Sequence, residues 1–155
     1  MTLELFAHPF SSYCQKALIA FYENDVPFTY RMLDRVFDNF VMTPQGKFVF
    51  DALRPEGARD PHGVEEARRM LDTSYAWLDE RMAGRTWAVG ETFTLADCAA
   101  APSLFYADWT HRIPERHRNL TAYRARLLER PSFARAVEEE RRFRHYFPMG
   151  APDRD

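Results

Sequence analysis

Residues 90–109 decide the fold of this chain, and they read GETFTLADCAAAPSLFYADW. Thr94 is a favourable N-cap, and Asp97 lies three residues later, where its carboxylate can accept the Thr94 backbone N–H in a capping box. The body of the stretch, CAAAPSLFYA, carries no charged side chain. We therefore predict a central helix enclosed by other helices, with Cys98 in the core and a bend or local break at Pro102.

Segments with helical spacing on either side predict the helices that enclose it. Asp60 can cap a long amphipathic helix, and Gly84 is suited to terminate that helix. Asn119 or Thr121 begins another helix, and Pro131 begins the last one. Together these segments predict an all-helical bundle of about five helices.

The N-terminal part has a different pattern. Residues 3–7 and 27–32 are predicted to be short strands, and between them a helix begins at Ser11 or Ser12 and ends near Asp25. Strand, helix and strand in this order predict a βαβ unit with parallel strands. Two strands alone leave both edges unpaired, so we expect another chain or a further segment to complete the sheet.

After this unit, residues 33–42 change to helical spacing without a turn signal. The apolar side of that helix is predicted to contain Val36, Phe37, Phe40 and Val41. At the other end of the chain, residues 146–152 are expected to form an ordered apolar strap, and residues 153–155 to fray. The whole pattern predicts a mainly α fold with a small α/β part.

Composition excludes several classes of partner. The 155 residues are 46% hydrophobic, which is enough for the core of one compact unit, and the net charge of −2 argues against a nucleic acid or an anionic membrane surface. No run reaches transmembrane length, and the N-terminus lacks a secretory leader pattern. The two cysteines, Cys14 and Cys98, lie in different predicted elements, which favours reduced thiols and a cytoplasmic location.

Four motifs carry a family resemblance. Residues 7–17 read AHPFSSYCQKA, and residues 75–81, 92–97 and 130–133 read YAWLDER, TFTLAD and RPSF. The first resembles the active-site loop and first helix of serine-type and cysteine-type glutathione S-transferases. The other three resemble the helical domain of the same family, in its order and spacing.

The resemblance implies two domains, a thioredoxin-like glutathione-binding domain at residues 1–34 and an all-helical domain at residues 35–155. It also implies reduced glutathione as cosubstrate, a small electrophile as second substrate, detoxification chemistry and a homodimer. The first domain is shortened relative to the family: its cis-proline and its Glu/Gln-Ser pair have no counterpart in this sequence.

Ser11 occupies the position that resembles the family's catalytic residue. Hydroxyl groups at a helix N-terminus can donate hydrogen bonds to an anion, and the helix dipole adds to that stabilisation. The resemblance implies that Ser11 holds the glutathione sulfur as a thiolate, and that Phe10, Ser12 and Cys14 help to bind the tripeptide. The alternative from the residues alone is that Ser11 and Ser12 only cap the helix.

An apolar cosubstrate pocket is implied at Phe40, Met42, Tyr106 and Trp109, for which plain core packing is the alternative. No metal site is expected, because the histidines lack the spacing of metal ligands.

Two other functions stay open. One is a non-catalytic scaffold or dimerisation module without a complete glutathione site. The other is a thiol-redox or lyase variant that uses Cys14, since residues 12–14 also resemble the glutaredoxin site Cys-Pro-Tyr-Cys, with Ser11 in place of the first cysteine.

Overall fold

The computed structural model describes residues 3–6, 19–31 and 34–155. Within these ranges the protein is mainly helical, with one two-stranded sheet, which confirms the predicted fold class. The elements in chain order are β1 (Leu3–Phe6), β2 (Phe28–Arg31), α1 (Asp34–Val36), a π-helical segment (Phe37–Met42), α2 (Thr43–Ala52), α3 (Pro61–Met82), α4 (Leu95–Thr110), α5 (Arg118–Glu129), α6 (Pro131–Glu140) and a 3-10 helix (Arg141–Tyr146). No helix of the described ranges combines the length and the apolar character that crossing a membrane requires.

The two strands are parallel, as the sequence predicts. Leu3 lies opposite Phe28, and the register continues along both strands. Residues 19–23 are helical, and Asp25 then takes a left-handed conformation with φ 49°, which ends that helix at the predicted place. The predicted start of the helix at Ser11 or Ser12 lies outside the described residues.

The helix after β2 continues much further than its apolar pattern predicted. It passes from α1 through the π-helical segment into α2, and Pro44 lies at the start of α2. Proline has no N–H to donate to the carbonyl four residues earlier, which leaves the Phe40 carbonyl without its helical partner. The hydroxyl of Ser74 on α3 lies 2.8 Å from that carbonyl oxygen and donates to it, so the irregular turn is tied to the next helix.

The boundaries of α3 confirm the predicted caps. The Asp60 carboxylate accepts the Gly63 N–H at 2.9 Å, and Gly84 has φ +67°, the left-handed conformation of a terminating glycine. The next helix but one, α5, begins at Arg118, one residue before the first predicted position. Its N-terminus is capped from α3, because the Asp79 carboxylate accepts the Leu120 N–H at 2.9 Å.

The central helix α4 forms as predicted, with its capping box at Thr94 and Asp97. Most of its side chains from Ala100 onward are buried, and the helix runs through Pro102 without a break. The prediction that Cys98 lies in the core was wrong, because this residue is exposed. In the first turn of α4, Ala96 and Asp97 are buried while Leu95 and Cys98 lie on the exposed side, so an uncharged side chain there does not require burial.

The core joins α2, α3, α4 and α5. Its largest fully buried side chains include Phe37, Leu71, Tyr75, Leu78, Leu104, Leu120 and Tyr123. Phe37 and Val41 contribute to it as predicted, but Phe40 does not, since its side chain is 41% exposed. The π-helical segment has a longer turn than an α-helix, so the 3.6-residue spacing assumed from the sequence misplaces one residue.

The C-terminal residues do not fray as expected. The Asp155 carboxylate accepts hydrogen bonds from Arg141 and Arg144, and Arg154 donates to the Asp108 main-chain oxygen at 2.7 Å. The last residues are therefore anchored on the 3-10 helix and on α4.

Candidate functional site

The residues predicted to bind glutathione, Phe10, Ser11, Ser12 and Cys14, lie outside the described residues. Their roles stay predictions. The described structure shows the strand that precedes them and the helix that follows β2, and these two elements limit where the predicted residues can lie.

Because β1 and β2 are parallel, their carboxyl ends lie at the same edge of the pair. Asp34 follows Arg31 by three residues and lies within about 11 Å of the end of β2. The first turn of the helical region therefore begins close to the carboxyl edge of the strand pair, the edge at which open parallel sheets bind ligands.

Two of the predicted pocket residues form one aromatic cluster. Tyr106 and Trp109 on α4 have ring centroids 5.6 Å apart in an edge-to-face arrangement, and Phe105 lies 4.7 Å from Trp109. Phe147, from the C-terminal segment, stacks on Tyr106 at 6.4 Å and meets Trp109 edge-on at 5.3 Å. Tyr106 and Trp109 therefore contact each other, and the ring of Phe147 packs on both.

Three polar groups lie in or against this cluster: the Tyr106 hydroxyl, the Arg144 guanidinium and Trp109 Nε1. Burial, and next the nearby Glu140, raise the pKa of Tyr106, so its hydroxyl stays protonated at neutral pH and can only donate or accept a hydrogen bond. The guanidinium of Arg144 lies 5.0 Å from the centre of the Trp109 ring, a cation–π contact. Trp109 Nε1 is buried without a hydrogen-bond partner among the described residues.

Phe40 lies at a different surface. It lines a groove of about 610 Å³ between the helix of residues 34–52 and α3, together with Pro44, Ala67, Met70 and others. Met42, next to this turn, is half-buried. The structure thus brings Tyr106 and Trp109 together in the aromatic cluster, and it places Phe40 beside α3 instead.

Asp97 holds the central helix through more contacts than its capping motif predicts. One carboxylate oxygen, Oδ1, accepts the Ala88 N–H at 2.8 Å and the Tyr123 hydroxyl at 2.7 Å, and the other, Oδ2, accepts the Thr94 N–H at 2.8 Å. Asp97 is fully buried, so all these bonds are shielded from water. The carboxylate fixes α4, and with it the aromatic cluster, relative to α5.

Three residues in or against the aromatic cluster were missed by the sequence reasoning: Phe105, Phe147 and Arg144. Phe147 was placed in the apolar strap, and its contact with α4 was not foreseen. Arg144 lay in a charged segment that the sequence does not distinguish from solvated surface. An aromatic residue beside Pro148 is the only local signal that could have indicated Phe147.

Within the described ranges, no group of three or more His, Cys, Asp or Glu side chains is arranged to hold a metal ion. His111, which is half-buried, instead bonds Asp72, with Nε2 to Oδ1 at 2.8 Å. Its other ring nitrogen, Nδ1, lies 3.3 Å from the Arg68 guanidinium, and this contact requires Nδ1 to accept.

Solved structures similar to this one are glutathione transferases. Gtt2 from Saccharomyces cerevisiae is 20% identical with a TM-score of 0.60, over 66% of this chain and 52% of that one. A transferase from Methylobacillus flagellatus with GSH bound is 22% identical with a TM-score of 0.58, over 81% of this chain and 57% of that one. A third, from Methylobacterium radiotolerans in complex with glutathione sulfonate, is 20% identical with a TM-score of 0.58, over 88% of this chain and 95% of that one.

These likenesses show the fold, and the chain spans little more than half the length of the first two relatives. No curated protein gives a significant match to the sequence. The family model for the glutathione S-transferase C-terminal domain matches residues 40–131, which is more than half of the chain. The motifs, the helical bundle and this match agree, and the chain therefore belongs to the glutathione S-transferase family.

Proposed function

We propose that this protein binds reduced glutathione at the carboxyl edge of β1 and transfers it to a small apolar electrophile, with Ser11 stabilising the thiolate. The observation that carries the proposal is the parallel β1–β2 pair, which directly precedes the helical region matched by the family model. Two of the similar structures contain GSH or glutathione sulfonate, which supports the tripeptide as ligand. The proposed domains are residues 1–34 for glutathione and 35–155 for the helical part, and the proposed location is the cytoplasm.

The main contribution that this reaction requires from the protein is stabilisation of the glutathione thiolate. A free thiol has a pKa near 8.5, and each unit by which the pKa falls corresponds to about 1.4 kcal/mol of thiolate stabilisation. The Ser11 hydroxyl would donate a hydrogen bond to the sulfur, and Phe10, Ser12 and Cys14 would help to hold the tripeptide. The thiol proton leaves to solvent, a sulfur–carbon bond forms, and the leaving group of the electrophile departs with its electron pair.

The cosubstrate is proposed to lie against Tyr106 and Trp109. Their rings give an apolar surface that suits an aromatic molecule, and the Tyr106 hydroxyl stays protonated, so it can donate a hydrogen bond to such a molecule. Phe40 and Met42 belong to the proposed pocket through the family resemblance alone.

The first test is a calorimetric titration of reduced glutathione into the purified chain, with its intact mass confirmed. Saturable binding is expected, and no binding up to several millimolar would overturn the proposal. With an activated aryl chloride as electrophile, Ser11→Ala should lower kcat/KM about 10- to 100-fold, because a hydrogen bond to a charged group is lost. Ser12→Ala is the matched control and should have a much smaller effect, whereas a larger loss in Cys14→Ser would favour the redox or lyase alternative.

A second candidate is a non-catalytic scaffold that dimerises, and the groove beside α3 favours it. Three large apolar side chains are exposed there or next to it: Phe40 at 41%, Met70 at 43% and Trp77 at 46%. A second, smaller cavity of about 220 Å³ joins Phe40 to Trp77. Contiguous apolar surface of this kind is typical of an interface, so we place the proposed homodimer contact on it.

Sedimentation measurements test the interface independently of catalysis. Trp77→Asp should shift the protein towards the monomer, because a charge replaces a buried aromatic contact. Phe143→Asp is the matched control, since Phe143 is equally exposed but lies on the 3-10 helix. A monomeric wild type at micromolar concentrations, or equal effects of the two variants, would contradict the interface.

A further inference from the structure

The C-terminal strap, residues 147–155, covers the part of α4 to which the cosubstrate is assigned. Phe147 contacts both Tyr106 and Trp109, and its ring is half-buried between them. The strap then turns at Gly150, which has φ +78°, and continues to Asp155. An aromatic ring of the chain itself therefore occupies the position that a flat aromatic cosubstrate would need.

Two ionic clasps hold the strap. In the first, the carboxylate of Asp155 accepts hydrogen bonds from Arg141 and Arg144 of the 3-10 helix. In the second, the guanidinium of Arg154 lies 3.3 Å from Asp108 Oδ2 and donates to the Asp108 main-chain oxygen at 2.7 Å. The side chains of Arg154 and Asp155 are each 35% exposed, whereas their partners Asp108 and Arg144 are 10% and 17% exposed. Water can replace the bonds of the two exposed side chains, and Asp108 keeps Arg124 at 3.5 Å as an ion-pair partner when Arg154 leaves.

The main chain of the strap contributes little to holding it in place. Two main-chain hydrogen bonds involve it among the described residues: the Phe147 N–H donates to the Arg144 oxygen at 3.0 Å, at the end of the 3-10 helix, and the Gly150 N–H donates to the Phe147 oxygen inside the strap. Beyond Phe147, lifting the strap would therefore break the two clasps and the Phe147 ring contacts, with the loss of one terminal main-chain bond of the 3-10 helix at most.

The covered state also leaves one polar group unsatisfied. Trp109 Nε1 is a buried donor without an acceptor among the described residues, and a buried unpaired donor destabilises the state that contains it. Arg144, which forms part of the first clasp, also lies over the Trp109 ring. Release of the strap would give the indole N–H a water molecule, or an acceptor atom of a ligand, as its partner.

We propose that the strap is a releasable cover, whose Phe147 ring is displaced by a flat aromatic cosubstrate bearing a hydrogen-bond acceptor for Trp109 Nε1. The part that concerns the cosubstrate rests on the proposed transferase function. The part that concerns release does not, and the two parts have separate tests.

Release is tested by the exchange of the Trp109 indole proton with water, followed by 15N NMR on the full chain. Because this proton has no hydrogen bond, its protection depends on being covered. Asp155→Asn and Arg154→Gln, which each open one clasp, should accelerate its exchange about two- to tenfold, from the usual strength of partly exposed ion pairs. The main-chain amide of Leu104, in the buried part of α4, should exchange at an unchanged rate.

The matched control is Glu139→Gln, which removes an exposed ion pair with Arg135 away from the strap and should change neither rate. Unchanged Trp109 exchange in both clasp variants would overturn the proposal. So would equal acceleration of the Leu104 amide, because the indole would then be exposed only by unfolding of the bundle.

The ligand part is tested with 1-anilinonaphthalene-8-sulfonate, a flat aromatic probe with acceptor oxygens, whose fluorescence reports binding. The Asp155→Asn variant should bind the probe more tightly than the wild type does, by the same factor as its acceleration of Trp109 indole exchange. The Phe147→Ala variant should bind the probe more tightly still. Equal affinities in all three proteins would overturn displacement of Phe147. If glutathione does not bind, but the variants show both faster Trp109 exchange and tighter probe binding, the strap proposal stands and the transferase proposal fails.

Discussion

Replacing Asp97 by alanine should remove a large part of the stability of the helical bundle. The change leaves the Ala88 N–H and the Tyr123 hydroxyl as buried donors without a partner, at about 1–3 kcal/mol each. Loss of the Thr94 half of the capping box adds about 1 kcal/mol. Removing a buried carboxylate offsets part of this sum, so we expect a net loss of about 3–5 kcal/mol, against a total of about 5–15 kcal/mol for a domain.

Graded variants separate the contributions to this loss. Asp97→Asn keeps an oxygen for Ala88 and Tyr123 but turns an NH2 group towards the Thr94 N–H, which should cost about 1–3 kcal/mol. Tyr123→Phe removes one hydroxyl and leaves the carboxylate with its other bonds, so it should cost about 1 kcal/mol. Glu139→Gln, on the solvent-exposed side of α6, should change the free energy of unfolding by less than about 0.5 kcal/mol.

The assay is urea unfolding followed by circular dichroism at one pH and temperature, with the m-value checked for constancy. The predicted order of stability loss is Asp97→Ala, Asp97→Asn, Tyr123→Phe and then Glu139→Gln. A loss below about 1 kcal/mol for Asp97→Ala, or a Tyr123→Phe loss as large as that of Asp97→Ala, would refute the reasoning that the buried carboxylate satisfies several donors at once.

Three further predictions concern single features. Gly84→Ala should lower the free energy of unfolding by about 1 kcal/mol, because the backbone angle φ +67° strains any side chain. Gly57→Ala is the control: an added Cβ meets no atom within 4 Å at either glycine, but Gly57 has no positive φ, so alanine there should raise the free energy of unfolding by about 0.4–1 kcal/mol in the same urea assay. Asp79→Ala should cost about 1 kcal/mol through loss of the α5 cap, and an unchanged urea midpoint would contradict that role. The Arg144 guanidinium lowers the pKa of Asp155, so the clasp contributes stability above the ordinary value of 3.8 and loses it as the pH falls through the lower folded pKa. The protection factor of the Trp109 indole proton, which is its exchange rate relative to that of a free indole at the same pH, should therefore fall only in that acidic range. A fall in this protection factor near neutral pH would exclude Asp155 as the titrating group.

Several local features could be predicted from the sequence because each depends on a few neighbouring residues. The capping box at Thr94 and Asp97, the cap at Asp60 and the left-handed terminator at Gly84 all formed as expected. Each is encoded by a short polar side chain or a glycine at a fixed offset from a helix end. The two parallel strands followed from short alternating segments on either side of a helix.

Other features could not be predicted because they depend on residues far apart in the chain. The Ser74 hydroxyl reaches the Phe40 carbonyl only once α3 packs against the π-helical segment. The exposure of Cys98, next to the buried Ala96 and Asp97, depends on which side of α4 the neighbouring helices leave uncovered, and the uncharged sequence of α4 does not specify that side.

The residues of the predicted site also divide into those indicated by local sequence and those whose contacts depend on distant segments. The candidate thiolate-binding position Ser11 follows from the resemblance of residues 7–17 to the family's active-site loop and stays a prediction, whereas the sequence indicated that α4 is central because its body carries no charge. Only the tertiary structure decided that the Tyr106 and Trp109 rings contact each other, that Phe40 belongs to another surface, and that Phe147 packs on both rings. The physical reason is that capping and periodicity act within one or two turns of chain, whereas the contacts of a pocket form only when distant segments are packed together.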